Sequence, residues 1–212
     1  MNESKLREQI CEFGRSIFDR GLTAGSSGNI SVRVEDGWLM TPTNVSLGRL
    51  DPARLSKIDA QGKVLAGDPP TKELPLHLSV YQVRKPAAAI VHLHSVYSVA
   101  VSVMKNVDPK NAIPPLTPYY VMKVGRLPVI PYHRPGDPKV ADAIRSLADR
   151  HAAVLLANHG PVVSGPSLDG AVNAIEELEE TAKLFLTLGD RPVRSLDEAQ
   201  IEDLRRVFGA EW

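Results

Sequence analysis

The 212-residue sequence holds one cysteine, Cys11, so no internal disulfide can form and a reducing compartment is the expected setting. It also lacks an excess of either charge, since 25 Lys and Arg balance 25 Asp and Glu. That balance argues against a broad surface for nucleic acid or for an acidic membrane, although a local basic pocket is compatible with it. No run of about 18 apolar residues exists to span a membrane. The N-terminal stretch "MNESKLREQICEFGRSIFDRG" interleaves charged with apolar residues, where a secretory signal would need an unbroken apolar core. Internal repeats and low-complexity linkers are absent, and the spacing of a P-loop is missing, which disfavours a nucleotide. The expectation is a cytoplasmic globular protein with neither nucleic acid nor membrane as partner. At 43% hydrophobic and 24% charged residues, the chain can bury a large core.

Leu6, Ile10, Phe13 and Ile17 follow helical spacing, and Gly21 closes that first amphipathic helix. After "LTAGSSGN", the segments "ISVRVED" and "GWLMTPT" read as short strands joined by a tight turn, and "LSKIDAQGKVLAG" as a hairpin turning at Gln61-Gly62. "TKELPLHLSVYQVRK" has helical periodicity and is stopped by Pro86. The run Ala87 to Val101, "AAAIVHLHSVYSVAV", reads as a buried strand, followed by a proline-rich loop "DPKNAIPPLTPYY" and a second strand "RLPVIPY". Asp137 is expected to cap a helix whose first residue is Pro138. "HAAVLLANHGPVVSG" resembles two buried strands separated by Asn158-His159-Gly160. Ser167 is placed to cap a long helix, and Ser195 with Glu198 has the pattern of a capping box for a last one. The whole chain, residues 1–212, is expected to form one α/β domain.

Chemistry concentrates in the histidines. In a strand, residues two apart share a face, so His92 and His94 would place two imidazoles side by side, at a spacing suited to one metal ion or to a hydrogen-bonded pair. His159, on the glycine turn after "AAVLLAN", offers a third ligand. Three histidines with an open position suit catalytic zinc, and manganese or cobalt would accept the same set. His77, His133 and His151 are expected to support the site or to lie at the surface. Glu73 begins a helix, where an acidic residue stabilises the N-terminus or, beside a metal, serves as a general acid or base. "AGSSGN", "TPTN" and Thr71-Lys72 supply amides, hydroxyls and an ammonium that suit an anion, or are ordinary turns.

In this order, "SGNIS", "TPT", a Glu before a helix, "HLH" and a late "NHG" make the chain resemble the class II aldolase/adducin family, almost from the first helix to "EELEETAKL". The resemblance implies an α/β/α sandwich around a mainly antiparallel sheet, a fourfold-symmetric homotetramer, and one zinc ion per active site near a subunit boundary. It matches His92, His94 and His159 to the metal ligands and Glu73 to the catalytic carboxylate. It matches Gly28-Asn29, Thr43-Asn44 and Thr71-Lys72 to the places where the aldolases hold the substrate phosphate. Asn44 stands where those aldolases commonly have glycine, and Lys72 where they commonly have serine, so the pocket suits a more anionic substrate than a sugar phosphate. "TPTNVSLGRLDPARLS", "PTKELPLHLSVYQVR" and "LTPYYVMKVG" bring the chain nearer to a subgroup, the 3-oxo-tetronate 4-phosphate decarboxylases.

That likeness implies loss of carbon dioxide from a phosphorylated four-carbon β-keto acid, with a metal stabilising the resulting enediolate and dihydroxyacetone phosphate as product. A tyrosine of the "TPY" segment, Tyr119, is implied as the proton donor, with Tyr120 adjacent to it. Glu73 is assigned the hydroxyl or relay proton, and Lys72 the phosphate. The same enediolate arises in aldol cleavage, so a class II aldolase or epimerase such as an L-fuculose-phosphate aldolase is the alternative. A non-catalytic, adducin-like role would be expected to go with lost ligands, whereas His92, His94, His159 and Glu73 are all present.

Overall fold

In this computed structural model, which describes residues 2–134 and 136–212, the elements follow directly from local chemistry. Helix α1 (Glu3–Asp19) starts where the Asn2 side chain accepts from the Lys5 N–H, and it buries Ile10, Gly14 and Ile17 along one stripe. Strands β1 (Asn29–Val34) and β2 (Gly37–Met40) form the first hairpin, and β3 (Ser56–Ile58) and β4 (Val64–Ala66) the second. Then come α2 (Leu74–Val83), β5 (Ala89–His92), α3 (Val96–Ser102), α4 (Pro118–Lys123) and β6 (Val129–Ile130). The chain closes with α5 (Lys139–Ala148), β7 (Ala153–Leu156), β8 (Gly160–Gly165), α6 (Leu168–Leu188) and α7 (Glu198–Phe208).

The eight strands form one sheet in the order β4-β3-β2-β1-β5-β8-β7-β6, antiparallel throughout except for the β6–β7 pair. Alternate residues of its centre feed two cores. Ala89, Val91, Leu155 and Val163 face α1, α3, α4 and α6, whereas Ile90, Val154, Leu156 and Val162 face α2 and α5. Helices therefore cover both faces, which is the layered α/β/α architecture expected. No helix among the described residues is long and apolar enough to cross a membrane.

Four local expectations are corrected. The apolar run Ala87 to Val101 is not one strand: β5 ends at His92, and α3 begins at Val96. The buried carboxylate of Glu179 supplies the acceptors that let a helix start there, taking the N–H groups of Tyr97 and Ser98 at 2.8 and 2.9 Å. The proline-rich loop is helical from Pro118, with the Thr117 side chain accepting from Tyr120 N–H. The final capping box is formed by Asp197 and Gln200 rather than Ser195 and Glu198, because only the former pair exchanges both hydrogen bonds. Helix α5 starts at Lys139, one residue after the expected position, although Asp137 Oδ1 does accept from the Lys139 N–H at 2.9 Å.

Candidate active site

The three histidines arrive from separate elements. His92 is the last residue of β5 and is fully buried. Its Nδ1–H donates to the Pro161 carbonyl at 2.8 Å, which leaves Nε2 as a bare lone pair. His94 lies past the strand end, with its Nε2 3.1 Å from that of His92. His159 sits in the β7–β8 turn, with its Nε2 3.0 Å from that of His94. The turn is tight enough to require its neighbours: Asn158 adopts φ 57°, and a Cβ on Gly160 would lie 2.3 Å from the Leu93 carbonyl oxygen.

Glu73 completes the cluster. It occupies the N-cap of α2 but makes no side-chain cap, so its carboxylate does not serve the helix end. Instead Oε2 lies 3.3 Å from His92 Nε2, and Oε1 lies 3.3 Å from His159 Nε2. One ligand atom from each of the four residues falls within 4.8 Å of all the others. Imidazole ligands at about 2.0–2.1 Å from one ion stand roughly 3 Å apart, which matches the His92–His94 and His94–His159 separations. Nitrogens converging this closely need a proton or a cation among them, so the donor set fits a divalent metal.

The electrostatics agree. Burial pushes the Glu73 carboxyl up, but His92, His159 and Asn29 outweigh it and hold the group well below the usual carboxylate range. Burial lowers His92, yet Glu73 and the Pro161 carbonyl prevail and raise it. His94 is pushed down to about 4, by burial first and by His92 and His159 next. A negative group beside crowded imidazoles is the arrangement that a bound cation relieves.

Behind Glu73 stands a buried layer. The β1–β5 register sets Asn29 opposite His92, and Asn29 Nδ2 donates to Glu73 Oε2 at 2.7 Å. His77, expected to support the site or lie at the surface, is wholly buried and contacts Asn29 Oδ1 through Nε2. His133 lines two cavities that meet at His159, one of about 370 Å³ that also touches Lys72, Glu73 and Arg134, and one of about 580 Å³ that also touches His94, Val96 and Tyr132. His151 appears in neither.

The segments matched to phosphate binding are stitched together beside Glu73. Thr41 N–H donates to the Ile30 carbonyl, Thr71 N–H to the Thr41 carbonyl, and Thr43 N–H to the Pro69 carbonyl. Asn44 adopts φ 59°, a left-handed conformation that glycine and asparagine meet most readily, which accounts for asparagine at that position. Gly28, at φ 81°, packs where a Cβ would come within 3.2 Å of the His92 carbonyl. Tyr119 is not among the residues lining either histidine cavity; it is 59% exposed on α4, under the Lys123 ammonium. Tyr120 is fully buried against Trp212, and its hydroxyl has no hydrogen-bond partner among the described residues.

Sequence reasoning missed Glu179, whose carboxylate accepts from Ser95 Oγ, Tyr97 N, Ser98 N and Ser98 Oγ and so anchors the helix that follows His94. The available signal was phase: Val172, Ile175, Glu179 and Ala182 fall on one buried stripe of α6.

Residues 8–186 match the family described as the class II aldolase and adducin N-terminal domain. A 3-oxo-tetronate 4-phosphate decarboxylase of Cupriavidus necator is 49% identical over 214 residues, covering 99% of both chains. An L-fuculose phosphate aldolase of Escherichia coli is 32% identical over 189 residues, covering 88% of this chain and 85% of its own. The crystal structure of YgbL from Escherichia coli superposes with a TM-score of 0.93 at 49% identity, covering 96% of this chain and 99% of that one.

Proposed function

The chain belongs to the class II aldolase and adducin family, and on that premise we propose that it converts 3-oxo-tetronate 4-phosphate to dihydroxyacetone phosphate and carbon dioxide. One observation carries the reading: nearly the whole chain is 49% identical to a decarboxylase of that substrate, against 32% to an L-fuculose phosphate aldolase. The converging Glu73, His92, His94 and His159 supply the means and speak against a non-catalytic role.

The substrate is a β-keto acid. When its C1 carboxylate leaves as carbon dioxide, the bonding pair stays on C2 and spreads to the ketone oxygen, and one proton added at C2 completes the product. A divalent cation held by His92, His94 and His159, which we assign as zinc with manganese or cobalt as substitutes, supplies Lewis-acid stabilisation of that negative charge. Glu73 is held ionised and beside the histidines, as a group that takes the C2 hydroxyl proton during carboxylate loss and returns it to the same oxygen needs to be. Gly28, Asn29, Thr43, Asn44, Thr71 and Lys72 take the phosphate, so that firm binding at the remote end orients the reacting end. Lys72 is kept from the carboxylate in this reading, because pairing with it would stabilise the ground state and oppose its loss.

Tyr119 delivers the C2 proton. The buried Tyr120 has no exposed surface, and burial pushes its hydroxyl pKa up. Tyr119 is exposed and lines neither histidine cavity of its own chain, so in this reading a neighbouring copy brings it to the site. We assign a homotetramer; exposed Val96 and Tyr132, lining the cavity beside His94, support a subunit contact at the active-site mouth. We read all 212 residues as one domain, since beyond the matched residues Ile201 of α7 is buried and Trp212 packs edge-on against Tyr120. One cysteine is consistent with a cytoplasmic setting.

The test is carbon dioxide release from 3-oxo-tetronate 4-phosphate by zinc-loaded protein, with Glu73→Gln as control. Release matched by dihydroxyacetone phosphate and lost in the variant is expected. No release above the spontaneous rate overturns the reading and turns attention to aldol cleavage or epimerisation of sugar phosphates.

A further inference from the structure

Beneath Glu73 runs an unbroken file of buried polar side chains, of which only Asn29 belongs to a segment matched to phosphate binding. Tyr81 Oη lies 2.9 Å from Ser31 Oγ, which lies 2.6 Å from His77 Nδ1. His77 Nε2 lies 2.5 Å from Asn29 Oδ1, and Asn29 Nδ2 donates to Glu73 Oε2 at 2.7 Å. Ser31 and His77 are fully buried, and Tyr81 and Asn29 nearly so, which leaves water no place as a substitute partner.

The chemistry of each group fixes the direction of the whole file. An ionised carboxylate only accepts, so Asn29 must turn its amide nitrogen toward Glu73 and its oxygen toward His77. That oxygen also only accepts, so His77 must carry its hydrogen on Nε2. Nδ1 is then a lone pair that takes the Ser31 hydroxyl hydrogen, and Ser31 Oγ in turn accepts from Tyr81. Burial holds the His77 pKa down to about 3, in keeping with a neutral ring carrying one hydrogen.

We propose that Ser31 and His77, anchored by Tyr81, are positioning residues: by locking the His77 tautomer they keep the Asn29 amide donating to Glu73 Oε2 and so aim the carboxylate at the histidine cluster. The opposite tautomer would set a lone pair of His77 against Asn29 Oδ1. Asn29 would then flip, and an oxygen would face the Glu73 carboxylate. Because Glu73 makes no cap to its own helix, the Asn29 amide is the neutral donor that holds it. The kinetic consequence rests on the decarboxylase reading above; the tautomer does not.

Two measurements test the proposal. In protein labelled with ¹⁵N-histidine, metal-free and zinc-loaded, the His77 resonances (identified by their loss in His77→Gln) should show the Nε2–H tautomer with Nδ1 unprotonated. An Nδ1–H tautomer overturns the proposal whatever the substrate proves to be. In decarboxylation assays, His77→Phe should lower kcat by about tenfold to hundredfold, as loss of an outer support typically does, with KM and bound metal little changed. His77→Gln, which restores an N–H donor to Asn29, should recover most of that loss. A His77→Phe enzyme with wild-type kcat, or a Gln variant as impaired as Phe, overturns it. Absence of turnover in the wild type refutes the decarboxylase reading and leaves the tautomer measurement to decide this one.

Discussion

Removing the Glu179 carboxylate should damage both stability and metal binding, although the residue lies in the middle of a long helix and touches none of the three histidines' ligand atoms. Oε2 accepts three hydrogen bonds, from Ser95 Oγ, Ser98 N and Ser98 Oγ, and Oε1 accepts one from Tyr97 N. The group is 4% exposed, so water cannot replace it readily. In Glu179→Ala the two hydroxyls can rotate toward other acceptors, but the two backbone N–H groups at the start of α3 cannot. Each buried donor left unmatched costs about 1–3 kcal/mol, and with the lost packing the total should be about 3–5 kcal/mol. Glu179→Gln keeps an oxygen where three donors meet and sacrifices the Tyr97 contact, so it should cost about 1–2 kcal/mol. Because α3 begins two residues after His94, the alanine variant should also bind metal about tenfold to hundredfold more weakly. Urea unfolding of metal-free protein at fixed chain concentration measures the first effect, and competition with a chromophoric chelator the second. An alanine variant within about 1 kcal/mol of wild type, or equal losses for alanine and glutamine, would refute the reasoning.

Acid should destabilise the fold through His77. Its pKa is held near 3 in the folded chain against 6.5 for the free side chain, so between those values the unfolded chain binds a proton that the folded one does not. Stability therefore falls as pH drops below about 6.5, by up to about 1.4 kcal/mol per pH unit from this group, and His77→Gln should lose about 2–3 kcal/mol less than wild type between pH 6.5 and 4.5 in denaturant titrations. Gly160→Ala should unfold more easily by over about 2 kcal/mol and retain less metal, since the new Cβ meets the Leu93 carbonyl oxygen at 2.3 Å; an unchanged midpoint in denaturant would contradict this. Dialysis against a chelator should abolish turnover, and zinc, manganese or cobalt should restore it, as followed by carbon dioxide release. Tyr119→Phe should lower kcat while circular dichroism and metal content stay at wild-type values.

The clustering of Glu73, His92, His94 and His159 was legible through motif and the fold through periodicity, but not always for the right local reason. His92 and His94 were expected to converge because a strand repeats every two residues, yet β5 ends at His92 and the second imidazole comes from the link to α3. Apolar content alone could not separate strand from helix in "AAAIVHLHSVYSVAV", since what starts the helix is a carboxylate 84 residues away in the chain. Ser195 and Glu198 had the spacing of a capping box, but Asp197 and Gln200 have it too, and only geometry chose between them. Tyr119 and Tyr120 were adjacent and chemically alike; opposite burial separates them.

The clustered atoms come from a strand end, a strand-to-helix link, a turn and a helix start, and of the four residues His92 alone sits in a backbone ladder, paired with Asn29 and Val162. Each has its own buried tie. The Pro161 carbonyl fixes the ring of His92, and the Glu179 carboxylate fixes the helix that follows His94. The close passage of Gly160 over Leu93 fixes the turn that carries His159, and the Asn29–His77 pair fixes Glu73. Separate ties explain why short, scattered motifs identify such a site: the ligand and the small or polar neighbour that admits its tie must occur together. They also separate two kinds of damage. Loss of a histidine ligand removes one donor to the cation, whereas loss of a tie leaves the three histidines and Glu73 present but imperfectly aimed, so tie variants should retain metal-dependent activity at reduced kcat where ligand variants lose it outright.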